Sequence, residues 1–297
     1  MIGFQSGLYT SEIFMGNDKA LPYIVTAFMD IGRGDWTTDR IENGVHLPHY
    51  LKRGVENYMS HFRVLAHMKN PLVVFVPDNL TETVEAICKA VGRHPNSYEI
   101  LPLAIDEKLY AQIRMVIKSP EFVESINPYQ KGNPEYWSQD YVYVTSRKAR
   151  FVDVAYFVGA VPKDRNAAWV DFGYCRTMDH LPKSREWNPA FDFDKINLFV
   201  YKEPPIEGSR QKTLEIAVKN NIVYIIGGVF LTNRQGWFTL AEYMDNNLYN
   251  LMRNNLVDDD QGLLLGSYLY KPELFKLHQL PPQKNIEDVR SIFRVFE

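Results

Sequence analysis

The chain has 297 residues, 45% of them hydrophobic and 13% aromatic, and this composition excludes an intrinsically disordered protein. The formal net charge is −3 and the basic residues are scattered along the sequence, so the pattern is not that of a nucleic-acid-binding protein. No run approaches the roughly 18 apolar residues that a transmembrane helix requires.

The two cysteines, Cys88 and Cys175, match no metal-binding spacing. So small a number is typical of a reducing compartment without structural disulfides. The first residues lack the basic and long apolar regions of a signal peptide. We therefore expect a cytoplasmic protein, and peripheral association with the inner face of the membrane is compatible with this.

The N-terminal part predicts alternating strands and helices. Short apolar, β-branched runs at 22–28 and 71–76 predict two strands, and residues 50–70 between them carry apolar side chains at helical spacings. Residues 81–93 predict another helix. This alternation predicts an α/β fold with a mostly parallel central sheet flanked by helices, and the lack of a linker-like stretch favours a single domain.

The remainder of the chain continues this pattern. The segment 134–158 is predicted to be helical in its second half and leads to a strand at 167–174. Residues 196–201 predict an edge strand, and residues 220–237 predict a strand that runs into a glycine pair, followed by a second short strand. Residues 237–255 predict a helix.

Asp171 is the first candidate for chemistry because it follows an apolar strand. Ligands of open α/β sheets bind at the carboxyl ends of the strands, where such a carboxylate could ligate a divalent cation that also holds phosphate oxygens. Gly173, two residues later, would let the backbone approach a ligand closely. A plain strand-ending turn explains Asp171 and Gly173 equally well.

Two further segments are candidate binding loops. The loop from Thr26 to Arg33 could bind a nucleotide, with Arg33 on a phosphate, although it carries no GxGxxG or P-loop pattern and such a stretch is more often an ordinary loop. Gly227 and Gly228 mark a close backbone approach, with Phe230 and Trp237 as a stacking surface for a sugar or base. The alternative there is a bulge with core aromatics.

The run Asp258–Asp260 with Gln261 has two readings. Adjacent carboxylates at this position are usually a solvated helix N-cap. They can also supply a general base or a metal ligand. Four histidines between the first two predicted strands form no zinc-binding pattern, and surface or core placement is expected for each: His46, His49, His61 and His67.

In chain order, five segments resemble the bacterial HtrL/YibB family, to which glycosyltransferase activity and a GT-A type of nucleotide-sugar-binding fold are ascribed. They read "IVTAFMDIGR", "YLKRGVENYMSHFRVLAHMKNPLVVFV", "VTSRKARFVDVA", "GGVFLTNRQGW" and "DDDQGLLLGSYLYKPELF". They span about residues 22–275, so the resemblance implies one GT-A-like domain over 1–297.

The resemblance also implies roles for individual residues. Donor-binding positions would be Thr26, Ala27, Phe28, Asp30 and Arg33 for the nucleotide, Lys148 against the nucleotide or sugar, and Asp171 at the first position of an Asp-x-Asp pattern, followed by Gly173. Positions beside the donor sugar and acceptor would be Gly227, Gly228, Trp237 and Gln261. The proton acceptor would be Asp260, with Asp259 next to it.

The second acidic position of Asp-x-Asp is occupied by Gly173. A divalent cation, Mn²⁺ or Mg²⁺, would then be held by Asp171, the diphosphate and a late ligand such as His278, or no metal would be needed. The implied function is transfer of a sugar from a nucleotide-sugar donor, a UDP-sugar first, to a glycan or lipid-linked glycan in surface polysaccharide or lipopolysaccharide assembly. The alternative is a non-catalytic nucleotide-sugar or glycan-binding protein, and a nucleotidyltransferase ranks last.

Overall fold

A computed structural model describes residues 20–36, 51–205, 209–281, 290 and 292–296. Seven strands run through this part of the chain: β1 (Tyr23–Ala27), β2 (Leu72–Val76), β3 (Tyr98–Pro102), β4 (Ala167–Val170), β5 (Ile196–Val200), β6 (Ile225–Thr232) and β7 (Phe275–Gln279). They form one sheet in the order β3-β2-β1-β4-β6-β5-β7. Among these strands β6 alone is antiparallel to its neighbours, so the mostly parallel α/β sheet is confirmed.

Helices cover both faces of the sheet. In chain order they are α1 (Val55–Leu65), α2 (Thr81–Ala90), α3 (Glu107–Ile117), α4 (Pro120–Ser125), α5 (Gln139–Ser146), α6 (Lys148–Phe157), α7 (Arg210–Asn220), α8 (Arg234–Arg253), α9 (Asp260–Tyr270) and α10 (Ile292–Val295). Side chains of α3, α5, α6, α8 and α9 form one core with the sheet, and those of α1, α2 and α10 form the other. None of the helices described is both long and apolar enough to span a membrane.

The sheet separates these cores because alternate residues of a strand point to opposite faces. In β1, Val25 and Ala27 enter the first core, whereas Ile24 and Phe28, just past the strand, enter the second. The fully buried Thr26 lies between them. The apolar runs that predicted β1 and β2 are therefore strands buried on both faces, as parallel strands usually are.

Helix α6 presents one unusual residue to the sheet. Its buried side chains recur at helical spacing, and the stripe that contains Val152 and Ala155 begins with Lys148. Because α6 packs on β1 and β4, this stripe carries an ammonium group toward the carboxyl end of β4. The fold thus places a charged side chain where an apolar one is the rule.

Two predictions about strands are wrong. Residues 196–201 do not form an edge strand, because β7 pairs with β5 on its outer side. The segment 220–237 contains one strand, β6, which passes through the glycine pair, and its last residues begin α8 instead of a second strand. Its pairing with β5 shifts from Leu198 opposite Phe230 to Phe199 opposite Ile226, so residues 227–229 have no partner in β5. The pairing of Val170 with Val229 sets Gly227 and Gly228 beside the carboxyl end of β4.

Candidate functional site

A cleft of about 370 Å³ opens at the carboxyl ends of β1 and β4. Its walls come from the loop after β1, from α5 and α6, and from the turn after β4. The sequence-predicted residues that line it are Ala27, Phe28, Asp30, Arg33, Lys148, Asp171, Gly173 and Gln261. The structure therefore brings together residues from four of the predicted segments.

Lys148 is the centre of the charged network beside this cleft. Its Nζ donates to Asp171 Oδ1 at 2.7 Å, to Asp260 Oδ2 at 2.9 Å and to the carbonyl oxygen of Gly227 at 3.0 Å. Only 8% of the side chain is exposed, and three partners satisfy all three N–H groups of the ammonium. Burial lowers the pKa of Lys148, but the carboxylates of Asp171 and Asp260 outweigh it and raise the pKa, so the lysine stays charged.

The two carboxylates on Lys148 face different surroundings. Asp171 is 39% exposed toward the cleft, whereas Asp260 is 4% exposed. Asp171 Oδ1 also accepts a hydrogen bond from Trp169 Nε1 at 2.9 Å. Its backbone N–H donates to the carbonyl oxygen of Gly228 at 2.8 Å, which continues the pairing of β4 with β6. Asp171 is thus the fixed carboxylate that a ligand in the cleft can reach.

Asp260 reaches Lys148 across Gly227. A Cβ at position 227 would stand 1.4 Å from Asp260 Oδ2, so a side chain there is incompatible with the carboxylate. Asp260 is the first residue of α9, and Asp259 is its N-cap, accepting from the backbone N–H of Gln261 at 2.9 Å. Gly227 therefore provides room for a carboxylate from another element.

The acidic run before α9 is a helix N-cap, as one reading predicted, but it is not solvated. Asp258, Asp259 and Asp260 are all buried, and Glu135 is buried beside them. Burial, reinforced by the charges of Asp259 and Asp171, raises the pKa of Asp260 to about 7 against the opposing effect of Lys148. Burial also raises the pKa of Asp259, although the N–H of Gln261 opposes this.

Glu135 and Asp258 lie deeper in this group of carboxyls. Burial raises the pKa of both well above the ordinary range, and the charge of Asp259 adds to the effect. Like charges close together in a buried place disfavour full ionisation of the group, which is why the pKa of each of its carboxyls is raised.

Arg33 lines the same cleft and is held by several contacts. Its Nε donates to the carbonyl oxygen of Leu51 at 3.0 Å and its Nη1 to the Tyr58 hydroxyl at 2.7 Å. The guanidinium lies 5.0, 5.9 and 6.0 Å from the ring centroids of Trp36, Tyr58 and Tyr141. These contacts hold the group in one orientation while the side chain stays largely buried.

Two predicted site residues lie elsewhere. Trp237 is fully buried, packs 5.3 Å from the ring of Phe230 and donates its Nε1–H to the carbonyl oxygen of Ala167 at 3.0 Å. It is therefore a core aromatic, as the alternative reading held, and offers no stacking surface to a sugar.

His278 lies on β7, three strands away from β4 and so about 14 Å from it at the usual strand spacing. Its Nε2 is 2.8 Å from Asn197 Oδ1 and its ring stacks on Phe191 with centroids 4.1 Å apart. The prediction that His278 shares a metal ion with Asp171 is therefore wrong.

Three predicted residues, Thr26, Asp30 and Gly228, have structural contacts that do not involve Lys148. Thr26 is buried in β1, and Asp30 accepts from the backbone N–H of Gly32 at 2.9 Å in the exposed loop. Gly228 packs against Tyr174: a Cβ on Gly228 would stand 3.2 Å from the tyrosine ring.

The remaining candidates are histidines and cysteines. His61 and His67 are partly buried, whereas His46 and His49 lie outside the described residues. Burial raises the pKa of Cys88 to about 11 and also raises that of Cys175, which keeps both thiols protonated.

The position of the missing second acidic residue has its own packing. A Cβ at Gly173 would begin 3.1 Å from the ring of Tyr58 and 3.6 Å from His61 Nδ1. Arg290 Nη1 donates to the carbonyl oxygens of Gly173, at 3.4 Å, and Tyr174, at 2.8 Å. Within the part of the chain that the structure describes, no three His, Cys, Asp or Glu side chains are arranged to hold a metal ion. Because position 173 supplies no second carboxylate and the guanidinium of Arg290 lies against the same turn, the chemistry of the turn does not fit a divalent cation at Asp171.

Sequence reasoning missed Trp169, Glu135, Arg53 and Arg290. Trp169 had a signal, since it precedes Asp171 by two residues on the same face of a strand. Glu135 and Arg290 had none, because they reach the site only through tertiary packing. A second cavity of about 580 Å³ lies between α7, α8 and α9, away from the network around Lys148. We place the site in the smaller cleft because the buried charges converge there.

Comparison with known proteins gives two matches. Residues 22–297 match the family model described as "Bacterial protein of unknown function (HtrL_YibB)". The chain is also 34% identical over 265 residues to Protein HtrL of Escherichia coli (strain K12), an alignment that covers 88% of this chain and 89% of that protein.

Proposed function

The chain belongs to the HtrL/YibB family of bacterial proteins, and on that premise we propose that it is a glycosyltransferase of the hexosyltransferase class. It would move a sugar from a nucleotide-sugar donor to a hydroxyl of a glycan acceptor. The family model itself assigns no function, so the proposal rests on the cleft. The observation that carries it is the Asp171 carboxylate, held by Lys148 and Trp169 at the carboxyl end of β4 and open to that cleft.

Each wall of the cleft has a place in this reaction. The nucleotide would lie along the loop that contains Phe28 and Arg33, and the sugar would lie toward Asp171. Attack by the acceptor hydroxyl on the anomeric carbon needs a proton acceptor, and a positioned carboxylate supplies one. Of the two carboxylates in the lining, Asp171 is the one held in place at the end of β4, whereas Asp30 lies in the exposed loop after β1.

This assigns the base differently from the sequence-based expectation. Asp260 was expected to take the proton, but its carboxylate is buried behind Lys148. In our proposal Asp260 is a positioning residue: it fixes the lysine that fixes Asp171. Asp259 in turn caps α9 and so fixes Asp260.

The acceptor class is carried over from the family resemblance. A glycan or lipid-linked glycan in surface polysaccharide or lipopolysaccharide assembly would be the acceptor, with peripheral attachment to the membrane. A UDP-sugar is the first donor to test.

Thermal unfolding with UDP-, GDP-, CMP- and dTDP-sugars tests donor binding first. A ligand at 100 times its dissociation constant adds about 2.7 kcal/mol to the free energy of unfolding. Release of the free nucleotide is then measured with the donor that binds, for the unaltered chain, Asp171→Asn and Asp260→Asn. Glu186→Gln is the matched control, since its pair with Lys69 is exposed and outside the cleft lining.

We expect Asp171→Asn to abolish turnover with donor binding retained, and Asp260→Asn to reduce it. Donor binding without turnover in the unaltered chain would favour a non-catalytic nucleotide-sugar-binding protein. Unchanged turnover in Asp171→Asn would overturn the assignment of the base.

A further inference from the structure

Resting on the function proposed above, we propose that the guanidinium groups of Arg33, Arg53 and Arg290 bind the diphosphate of the donor. They would carry the charge-neutralising role that a divalent cation has in an Asp-x-Asp site. All three line the same cleft as Asp171. Guanidinium groups suit this role because they bind phosphate oxygens in pairs through a rigid fork of N–H donors.

The charge of the cleft lining favours an anion. Among the described residues of the lining, Arg33, Arg53, Arg290 and Lys148 are basic, and Asp30 and Asp171 are acidic. The three N–H groups of the Lys148 ammonium donate to the carboxylates of Asp171 and Asp260 and to the carbonyl oxygen of Gly227. The lysine therefore offers no donor to a ligand, and the other basic groups of the lining are the three arginines.

Arg33 is held ready for such a contact. Leu51 and Tyr58 take its Nε and Nη1, which leaves Nη2 without a partner among the residues that the structure describes. Three aromatic rings surround the guanidinium and fix its plane. A donor fixed in advance loses little conformational entropy when it binds a ligand.

Arg290 contacts the backbone of the turn that follows Asp171. Its Nη1 donates to the carbonyl oxygens of Gly173 and Tyr174, so its positive charge lies beside that turn. A metal ion bound there would meet a like charge. A phosphate oxygen in the same place would meet an opposite one.

Arg53 adds a third charge close to the first. Burial lowers the pKa of Arg53, and the neighbouring guanidiniums of Arg33 and Arg176 lower it further, although Tyr58 opposes them. Positive charges crowded at one wall repel each other, and a bound polyanion relieves that repulsion.

The transfer step balances with these groups alone. The acceptor oxygen forms a bond to the anomeric carbon as the bond from that carbon to the diphosphate oxygen breaks. The electron pair of the broken bond stays on the nucleoside diphosphate, where the guanidiniums stabilise the added negative charge. The proton of the acceptor hydroxyl passes to Asp171.

Calorimetric titration of the full chain tests the proposal. UDP, GDP, dTDP and inorganic pyrophosphate are titrated in EDTA and again with Mn²⁺, and the matching nucleosides are titrated in EDTA. The variants are Arg53→Gln, Arg290→Gln and Arg290→Lys, with circular dichroism to check folding. Arg63→Gln is the control, because that arginine is exposed on α1.

We expect at least one nucleoside diphosphate to bind in EDTA, with an affinity that Mn²⁺ changes by less than about twofold. Arg53→Gln and Arg290→Gln should each weaken it about tenfold or more, as expected for the loss of a charge-assisted hydrogen bond. The nucleoside should bind the variants and the unaltered chain alike, and Arg290→Lys should keep part of the affinity because it keeps the charge.

Binding that requires Mn²⁺, or an affinity that neither glutamine variant changes, would overturn the arginine assignment and leave the transferase proposal standing. If no nucleoside diphosphate binds in either condition, both proposals fall.

Discussion

The carboxylate of Asp260 lies against the Cα of Gly227, with Oδ2 only 1.4 Å from where a Cβ on residue 227 would stand. The carbonyl oxygen of the same glycine accepts a hydrogen bond from Lys148. Position 227 therefore fixes both partners of a buried ion pair.

Gly227→Ala should displace Asp260 and disturb its pair with Lys148. Overpacking of this kind costs about 1–3 kcal/mol, and disturbing a buried ion pair adds to it, so we expect a loss of about 3 kcal/mol or more. Urea unfolding measures it. Gly228→Ala is the comparison, since its Cβ would meet the ring of Tyr174 at 3.2 Å and a small shift of that ring relieves the contact. Equal losses in the two variants would contradict this account.

Lys148→Met should leave Asp260 buried without its counter-charge. Removal of one partner of a buried pair costs about 3–5 kcal/mol. Asp260 can avoid part of this cost by taking up a proton, so the loss should be smaller at pH 5 than at pH 8. Unfolding by urea at both pH values measures the difference.

The double variant Lys148→Met with Asp260→Asn should regain part of that stability, because the stranded charge is then gone. A loss independent of pH, with no recovery in the double variant, would show that the pair is not the cause.

The buried carboxyl of Asp258 should make the fold less stable as the pH rises. Its pKa is well above the unfolded value, chiefly through burial, so between about pH 4 and its folded pKa the folded chain keeps a proton that the unfolded chain has released. Stability then falls with rising pH by up to about 1.4 kcal/mol per pH unit for this group.

Asp258→Asn removes this titration and keeps the shape of the side chain. In urea unfolding at a series of pH values, we expect the stability of the variant to gain on that of the unaltered chain as the pH rises above about 4, up to the folded pKa of Asp258. Asp153→Asn is the matched control, since Asp153 is paired with Arg150 and only partly buried. Stability curves of the unaltered chain and Asp258→Asn that run parallel in pH would refute the prediction.

Trp169→Phe should lower transfer activity about tenfold, because it removes a hydrogen bond to the carboxylate of Asp171. The matched variant is Trp237→Phe, which also loses an indole N–H bond inside the core, to the carbonyl oxygen of Ala167. Each should lose about 2 kcal/mol of stability. Activity measured under conditions in which both stay folded should fall in the first alone, and a similar fall in both would mean that Trp169 acts only through stability.

The strands that can be recognised from the sequence are those formed by an uninterrupted run of apolar residues. β1, β2 and β4 are continuous apolar runs, which parallel strands covered on both faces require. β3 and β7 carry partly exposed side chains and little apolar signal. β6 was divided at its glycines because glycine is rare in strand interiors, and the reason for Gly227 is the carboxylate of a residue far along the chain.

The same distinction applies to the site. Asp171 could be identified from its place at the end of a strand, and Lys148 stands at the start of a stripe that is otherwise apolar. The burial of Asp258 could not be read locally, since acidic residues before a helix are normally solvated and here the apolar helix α9 is packed into the core. Arg290 donates to the carbonyl oxygen of Gly173, 117 residues away, and no sequence pattern links the two.

The pair between Lys148 and Asp260 spans 112 residues, which has a consequence for synthesis on the ribosome. Chain emerges at about 5–20 residues per second, so α6 leaves the ribosome several seconds before α9. Until α9 arrives, Lys148 has no Asp260, and docking α6 on the sheet would bury an ammonium short of one partner. The nascent chain should therefore keep α6 loosely attached and hydrated, and closure of the charged site should be among the last steps of folding.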